Sequence, residues 1–356
     1  MRKLVALTVA LALVLAAGLL IAQQTAPLSP WAYGFDAPAA APAANAAPAG
    51  GRGQGGGAPG GAGGGAGRGQ AAAPDTTQHK LEGSTLSFTA AQIRDGFGPA
   101  DWFPGDHPAM PEIVAHGSRD RMINACSLCH YPNGKGRAEN AGVSGLPVDY
   151  FVKTMLDFRN DARKSADTRK ANTNRMIAFA KAMTDDEIKA AATYFGAIKW
   201  TPWIRVVEAD TVPKTRIAGG LFVVLEGADA GKEPIGQRII EAPEKGEETE
   251  TLRNPRSGFV AYVPPGSIKK GETLVVTGGA GKTTQCGLCH GTDLEGLGPV
   301  PGLAGRSPSY IVRQLHDMQT GTRKGTWSDL MKPVVAKLTA EDMLNIAAYT
   351  ASRTVK

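Results

Sequence analysis

The chain has 356 residues and a formal net charge of +6 at pH 7, long enough for two compact domains plus tails. Residues 1–80 hold five Lys or Arg against two Asp, so residues 81–356 carry only +3. This near-neutral body has no stripe of Lys and Arg interleaved with aromatics, which excludes nucleic acid as a partner.

The N-terminus reads Met1-Arg-Lys, followed by an uncharged apolar run from Leu4 to Ala22. A basic start before an apolar core is an export signal. The run is nearly long enough to span a bilayer, and Leu20-Ile21-Ala22 is a poor small-x-small cleavage site. Residues 1–22 are therefore read as a signal peptide or a retained membrane anchor, with the anchor preferred. The expected location is the periplasm, with tethering to the inner membrane if the anchor stays. Residues 23–80 are rich in Ala, Pro and Gly without periodic apolar positions. Such a segment cannot bury enough surface to offset its ordering entropy, so it reads as a disordered N-terminal linker. Trp31 and Tyr33 within it are either plain linker residues or aromatics at a membrane interface.

Composition becomes globular from about residue 81. His79, His107 and His116 read as ordinary hydrogen-bonded or surface histidines. Pro111 to Gly117 should begin a helix leading into Cys126-Ser-Leu-Cys129-His130. The same form recurs as Cys286-Gly-Leu-Cys289-His290, and the two motifs use all four cysteines of the chain. C-x-x-C-H is the pattern for covalent attachment of c-type haem. Each thiol can form a thioether to a porphyrin vinyl group, and the adjacent His supplies the proximal nitrogen to iron. A zinc site of Cys126, Cys129, Cys286 and Cys289 would leave the two His unexplained. A thioredoxin-like disulfide would want a βαβ context, which neither motif has.

Between the motifs, residues 200–265 contain four short β-branched and aromatic runs: 205–208, 220–225, 238–241 and 258–263. Gly, Pro and charged turns separate them, so a small β element, a hairpin or a three-stranded sheet, is expected. A spacer role is preferred over a docking surface. Pro264-Pro265-Gly266 then opens the second haem domain.

The motifs are offset by 160 residues, and the similarity continues beyond them. Gly142-Val-Ser-Gly145 matches Gly302-Leu-Ala-Gly305, Tyr150 to Asp157 matches Tyr310 to Asp317, and Arg163-Lys164 matches Arg323-Lys324. At an offset of 155, Met183 to Ile188 matches Leu338 to Met343, and Tyr194 matches Tyr349. The chain thus holds one haem domain, duplicated: 81–199 and 266–356. Thr184 and Thr339 are N-cap candidates, each followed three positions later by an acid, Glu187 or Asp342.

The sixth iron ligand decides between electron transfer and substrate binding at iron. Met is a common partner of His in cytochromes c. Met155, Met183, Met318 and Met343 each stand opposite Leu, Phe or Ile in the sister unit, as core residues do. Met176 and Met331 are the pair that stay Met in both units, in a loop-like stretch before the last helix, and are the expected distal ligands. His316 is the main rival at the second haem, but Leu156 stands opposite it.

With these residues in place, the chain resembles class I cytochromes c, in particular their two-domain dihaem members. The resemblance covers about 111–197 and 266–353. It implies a mainly α fold: two class I cytochrome c domains in tandem with a small β element between them. It implies two covalently attached c-type haems held by Cys126, Cys129, His130, Met176, Cys286, Cys289, His290 and Met331. It also implies that Pro301 orients His290 through its carbonyl. The first domain departs there, with Ala141 at the matching place. The implied function is an exported carrier of single electrons between redox partner proteins. The alternatives are a peroxidase-like dihaem enzyme with one open iron, or the electron-accepting haem subunit of a dehydrogenase or oxidase complex.

Overall fold

The computed structural model describes residues 28–36 and 75–355. The apolar run 4–22 and most of the expected linker lie outside these residues. Among the described residues, no helix is long and apolar enough to cross a membrane.

The repeat seen in sequence becomes two helical units. In the first, α1 (Glu112–Ala115) precedes α2 (Cys126–His130), α3 (Val148–Arg159), α4 (Ala171–Ala182) and α5 (Asp185–Ala197). Thr184 caps α5: its Oγ1 accepts from the Glu187 N–H at 3.2 Å, and Glu187 accepts from the Thr184 N–H at 2.8 Å. This reciprocal box satisfies two donors that the helix start would otherwise leave open. In the second unit, α6 (Ser267–Thr277) precedes α7 (Gly287–His290), α8 (Pro308–Gln319) and α9 (Ala340–Ser352). Thr339 and Asp342 form the same box at α9, with the shorter acid reaching the Thr339 N–H at 2.7 Å. Helix α6 crosses α9 at Gly271, where a Cβ would lie 1.9 Å from the Asn345 carbonyl oxygen. Only glycine permits that approach.

Three expectations change in the first unit. The helix leading into Cys126 is a single turn, because the chain reverses at Gly117 (φ +66°), whose absent Cβ makes room for the Ile123 carbonyl. Met176 lies inside the twelve-residue helix α4 rather than in a loop. Residues 28–36, assigned to the linker, are ordered: Pro30–Tyr33 form a 3-10 turn in which Trp31, Ala32 and Tyr33 are buried. Aromatics that bury against a partner need no regular pattern of their own, so the surrounding Ala/Pro/Gly composition hid this turn.

The connecting segment has more strands than one sheet holds. β1 (Ile204–Glu208) pairs parallel with β7 (Phe259–Val263), which pairs antiparallel with β6 (Ile240–Pro243). Two ribbons stand apart from it, β2 (Thr211–Pro213) with β5 (Lys232–Pro234), and β3 (Thr215–Ala218) with β4 (Leu221–Val224). This element packs on both units. Val212, Ile240, Ala261 and Val263 join the buried core of the second, while Trp203, Leu221 and Phe259 cluster with Ala138 of the first.

The two units also meet directly, with crossed and near-equivalent contacts. Arg163 donates to the Tyr310 hydroxyl at 2.7 Å, and its repeat mate Arg323 donates to Tyr150 at 2.9 Å. The Lys164 N–H donates to the Thr322 carbonyl at 2.8 Å, and the Lys324 N–H to the Ala162 carbonyl at 2.7 Å. Duplicated domains facing each other place the same patch on both sides, as in an isologous dimer.

Candidate haem sites

In the first unit a cavity with about 1390 Å³ of empty space, including its open mouth, is walled by Cys126, Cys129 and His130 on α2 and by Met176 on α4. Val143, Phe151, Phe158 and Phe195 supply apolar sides. The Nδ1–H of His130 donates to the Ala141 carbonyl at 2.8 Å. The carbonyl cannot itself donate, so the bond sets the tautomer and leaves Nε2 as a free lone pair. Burial pushes the imidazole below its usual range and keeps it neutral, the form a metal ligand needs.

The second unit repeats the proximal arrangement. The Nδ1–H of His290 donates to the Pro301 carbonyl at 2.8 Å, and burial again depresses the imidazole. The proline expected from the resemblance is present here, and alanine does the same work in the first unit. The interaction uses a backbone carbonyl, which every residue carries. Cys286 and Met331 pack on the same core cluster.

Burial pushes the Cys126 thiol up to about 12 and Cys286 up to about 11. Among the described residues, no three His, Cys, Asp or Glu side chains converge as a metal site. His107 is held by Asp101 and the Pro108 carbonyl, and His116 lies within reach of the Phe97 carbonyl. Neither lines the cavity. His316 is buried on α8. Its repeat mate Leu156 faces an outer groove rather than the cavity, so the helix turns that position away from the haem side.

One end of the first cavity is polar, and sequence reading gave its members no role there. Arg163 and Lys170 meet Arg313 and Tyr310, which arrive from the second unit. Arg313 is buried, donating to the carbonyls of Ala32 and Ala138 at 2.8 Å each. Lys170 donates to the Tyr33 carbonyl at 3.2 Å, and burial, with Arg313 nearby, brings it down to about 7. An apolar slot with two thiols and an imidazole, whose polar lining sets Arg163, Lys170 and Arg313 beside Glu139 and Asp317, has room and cations for a porphyrin with carboxylate arms. The match of Arg163 with Arg323 was visible in the repeat, but nothing local marks Lys170 or Arg313.

No family model matches the chain. A thiosulfate dehydrogenase electron acceptor of Stutzerimonas stutzeri is 35% identical over 245 residues, spanning 68% of this chain and 84% of that protein. The chain belongs to the two-domain dihaem cytochrome c family. It carries two covalently attached c-type haems and serves electron transfer. Cytochrome c-554(548) of Halomonas halodenitrificans is 41% identical over 76 residues, 21% of this chain and 92% of that protein. A solved structure of cytochrome c4 from Acidithiobacillus ferrooxidans covers 64% of this chain and 97% of its own, at 21% identity and a TM-score of 0.40. Bound haem supplies reversible one-electron chemistry at iron. The protein's own part is to fix the ligands, exclude water and neutralise the carboxylates.

Proposed function

We propose that both haems of this dihaem cytochrome are His/Met ligated and that it accepts electrons from a dehydrogenase outside the cytoplasm. The observation that carries the ligation is the placement of Met176 on the wall of the cavity that His130 also lines. A thioether there occupies the sixth position, raises the potential and leaves no iron site for substrate. Met331 takes the same role opposite His290, by its place in the repeat and its packing on the second core. The apolar run 4–22 supports export, with the run either removed or kept as an anchor. The donor is proposed from the Stutzerimonas stutzeri relative, whose name describes an acceptor for thiosulfate dehydrogenase.

The test is the visible spectrum of the oxidised holoprotein, which should show the weak far-red charge-transfer band of thioether-ligated ferric haem from both centres. Met176→Ala and Met331→Ala should each turn one iron high-spin. Two low-spin haems in both variants would overturn the ligation. For the donor, a thiosulfate dehydrogenase and thiosulfate should reduce the wild-type protein within catalytic turnover. No reduction would overturn that assignment alone.

A further inference from the structure

The two ligand-bearing segments are anchored differently, although the repeat makes them equivalent. Met331 ends the 3-10 turn Ser328–Met331. Among the eight residues before it, Arg323, Lys324, Gly325 and Trp327 meet the other unit. Arg323 reaches Tyr150, and the Lys324 N–H donates to the Ala162 carbonyl at 2.7 Å. Gly325, at φ +123°, lies so close to α3 that a Cβ would stand 2.7 Å from Oδ1 of Asp157. Trp327 lines a groove on the outer face of the first unit with Val148, Val152, Leu156 and Ile188. The Asp329 N–H donates to the Gly325 carbonyl at 2.8 Å and carries this anchorage toward Met331.

Met176 has no comparable attachment. Its segment contacts the second unit at Arg163, Lys164 and Ala166, where Asp317 accepts from the Ala166 N–H at 2.9 Å. Lys170 at the start of α4 also reaches the Tyr33 carbonyl near Arg313, and five residues then separate it from Met176, which packs in the core of the first unit. No aromatic matches Trp327, because Asn172 stands at that place at the offset that pairs Met176 with Met331. A displaced first unit would therefore disturb the turn that ends at Met331 and leave Met176 on its helix.

We propose that the first haem domain positions the distal ligand of the second haem, with Trp327 as the positioning residue seated in the groove beside α3. This deepens the His/Met reading above and rests on Met331 being the ligand. It makes the ligand strength of the second iron depend on the domain interface through the turn that ends at Met331.

The test uses the full-length dihaem protein. In the reduced state the methyl group of an iron-bound Met resonates far upfield in proton NMR through the porphyrin ring current, giving one signal per haem. Trp327→Ala should raise the population lacking the Met331–iron bond about tenfold, the scale expected for losing the contacts of an aromatic that is 36% exposed. Its Met331 signal should vanish at lower temperature while the Met176 signal stays unchanged. Trp327→Phe should restore most of the difference. Val148→Asp, at the first position of α3 where an acid suits the helix start, should weaken the same second-haem signal from within the other domain. Unchanged Met331 signals in Trp327→Ala and Val148→Asp, or equal weakening of both haems, would overturn the proposal. Met331→Ala separates the two readings, because retention of both methyl signals there overturns the ligand assignment itself.

Discussion

Arg163 of the first haem domain donates to the hydroxyl of Tyr310 in the second at 2.7 Å, and both face the cavity of the first haem. The mirrored pair, Arg323 and Tyr150, closes the other half of the interface, and both arginines share the Gln314 side-chain oxygen at 2.9 and 2.8 Å. Removal of either guanidinium strands buried acceptors and loses charge-assisted hydrogen bonds. Arg163→Leu and Arg323→Leu should each cost about 1.5–3 kcal/mol. The double variant should cost measurably less than the two together, because they share a partner. Denaturant titration of the holoprotein checks both statements, and strict additivity would show that the halves act independently.

At Gly271 a methyl group meets backbone rather than a movable side chain. Gly271→Ala must separate α6 from α9, at a cost of about 3 kcal/mol. The loss should fall on the second haem domain. Its haem signals should broaden or disappear in proton NMR before those of the first domain are affected.

The caps of α5 and α9 are equivalent by geometry and should be equivalent in energy. Thr184→Ala and Thr339→Ala should each lower stability by about 1 kcal/mol. Serine at either place should recover most of it, since it keeps the hydroxyl acceptor. Thermal melts of the four variants test this directly.

Glu187 gives a pH dependence with a defined sign. The hydrogen bonds from Arg121, with the Thr184 N–H adding to them, hold its carboxyl below the usual glutamate range. A depressed carboxylate contributes stability above its unfolded pKa, and that contribution fades as pH falls through the folded value. Glu187→Gln should therefore melt below wild type at neutral pH. The gap should narrow in acid, below the usual glutamate pKa. A gap independent of pH would assign the effect to the cap's shape rather than its charge.

Much of the site was legible before any coordinates. C-x-x-C-H brings its three functional groups together within five residues, and the last helices announce themselves by Thr and an acid three positions on. Those signals are local. Matching the units marks Met176 as a candidate, yet its segment reads as a loop and is a helix, because Asn172, Thr173 and Asn174 are weak helix formers whose context overrides them. Trp31 and Tyr33 were misplaced for the same kind of reason. Their burial depends on α8, where Tyr33 meets Asp317 at 3.1 Å, a partner 284 residues away.

The sequence by itself determined the two C-x-x-C-H motifs, the internal repeat and the candidate axial ligands, since each is written in short-range spacing or in a match between two copies. The tertiary structure decided what surrounds them: the carbonyls of Ala141 and Pro301 that orient the histidines, the cations at the end of the first cavity, and the crossed arginines. It also decided that the Met331 turn leans on the other domain while Met176 rides on its own helix. The chain distance between partners carries no pattern to read, because such contacts arise only when two surfaces close on each other and exclude water.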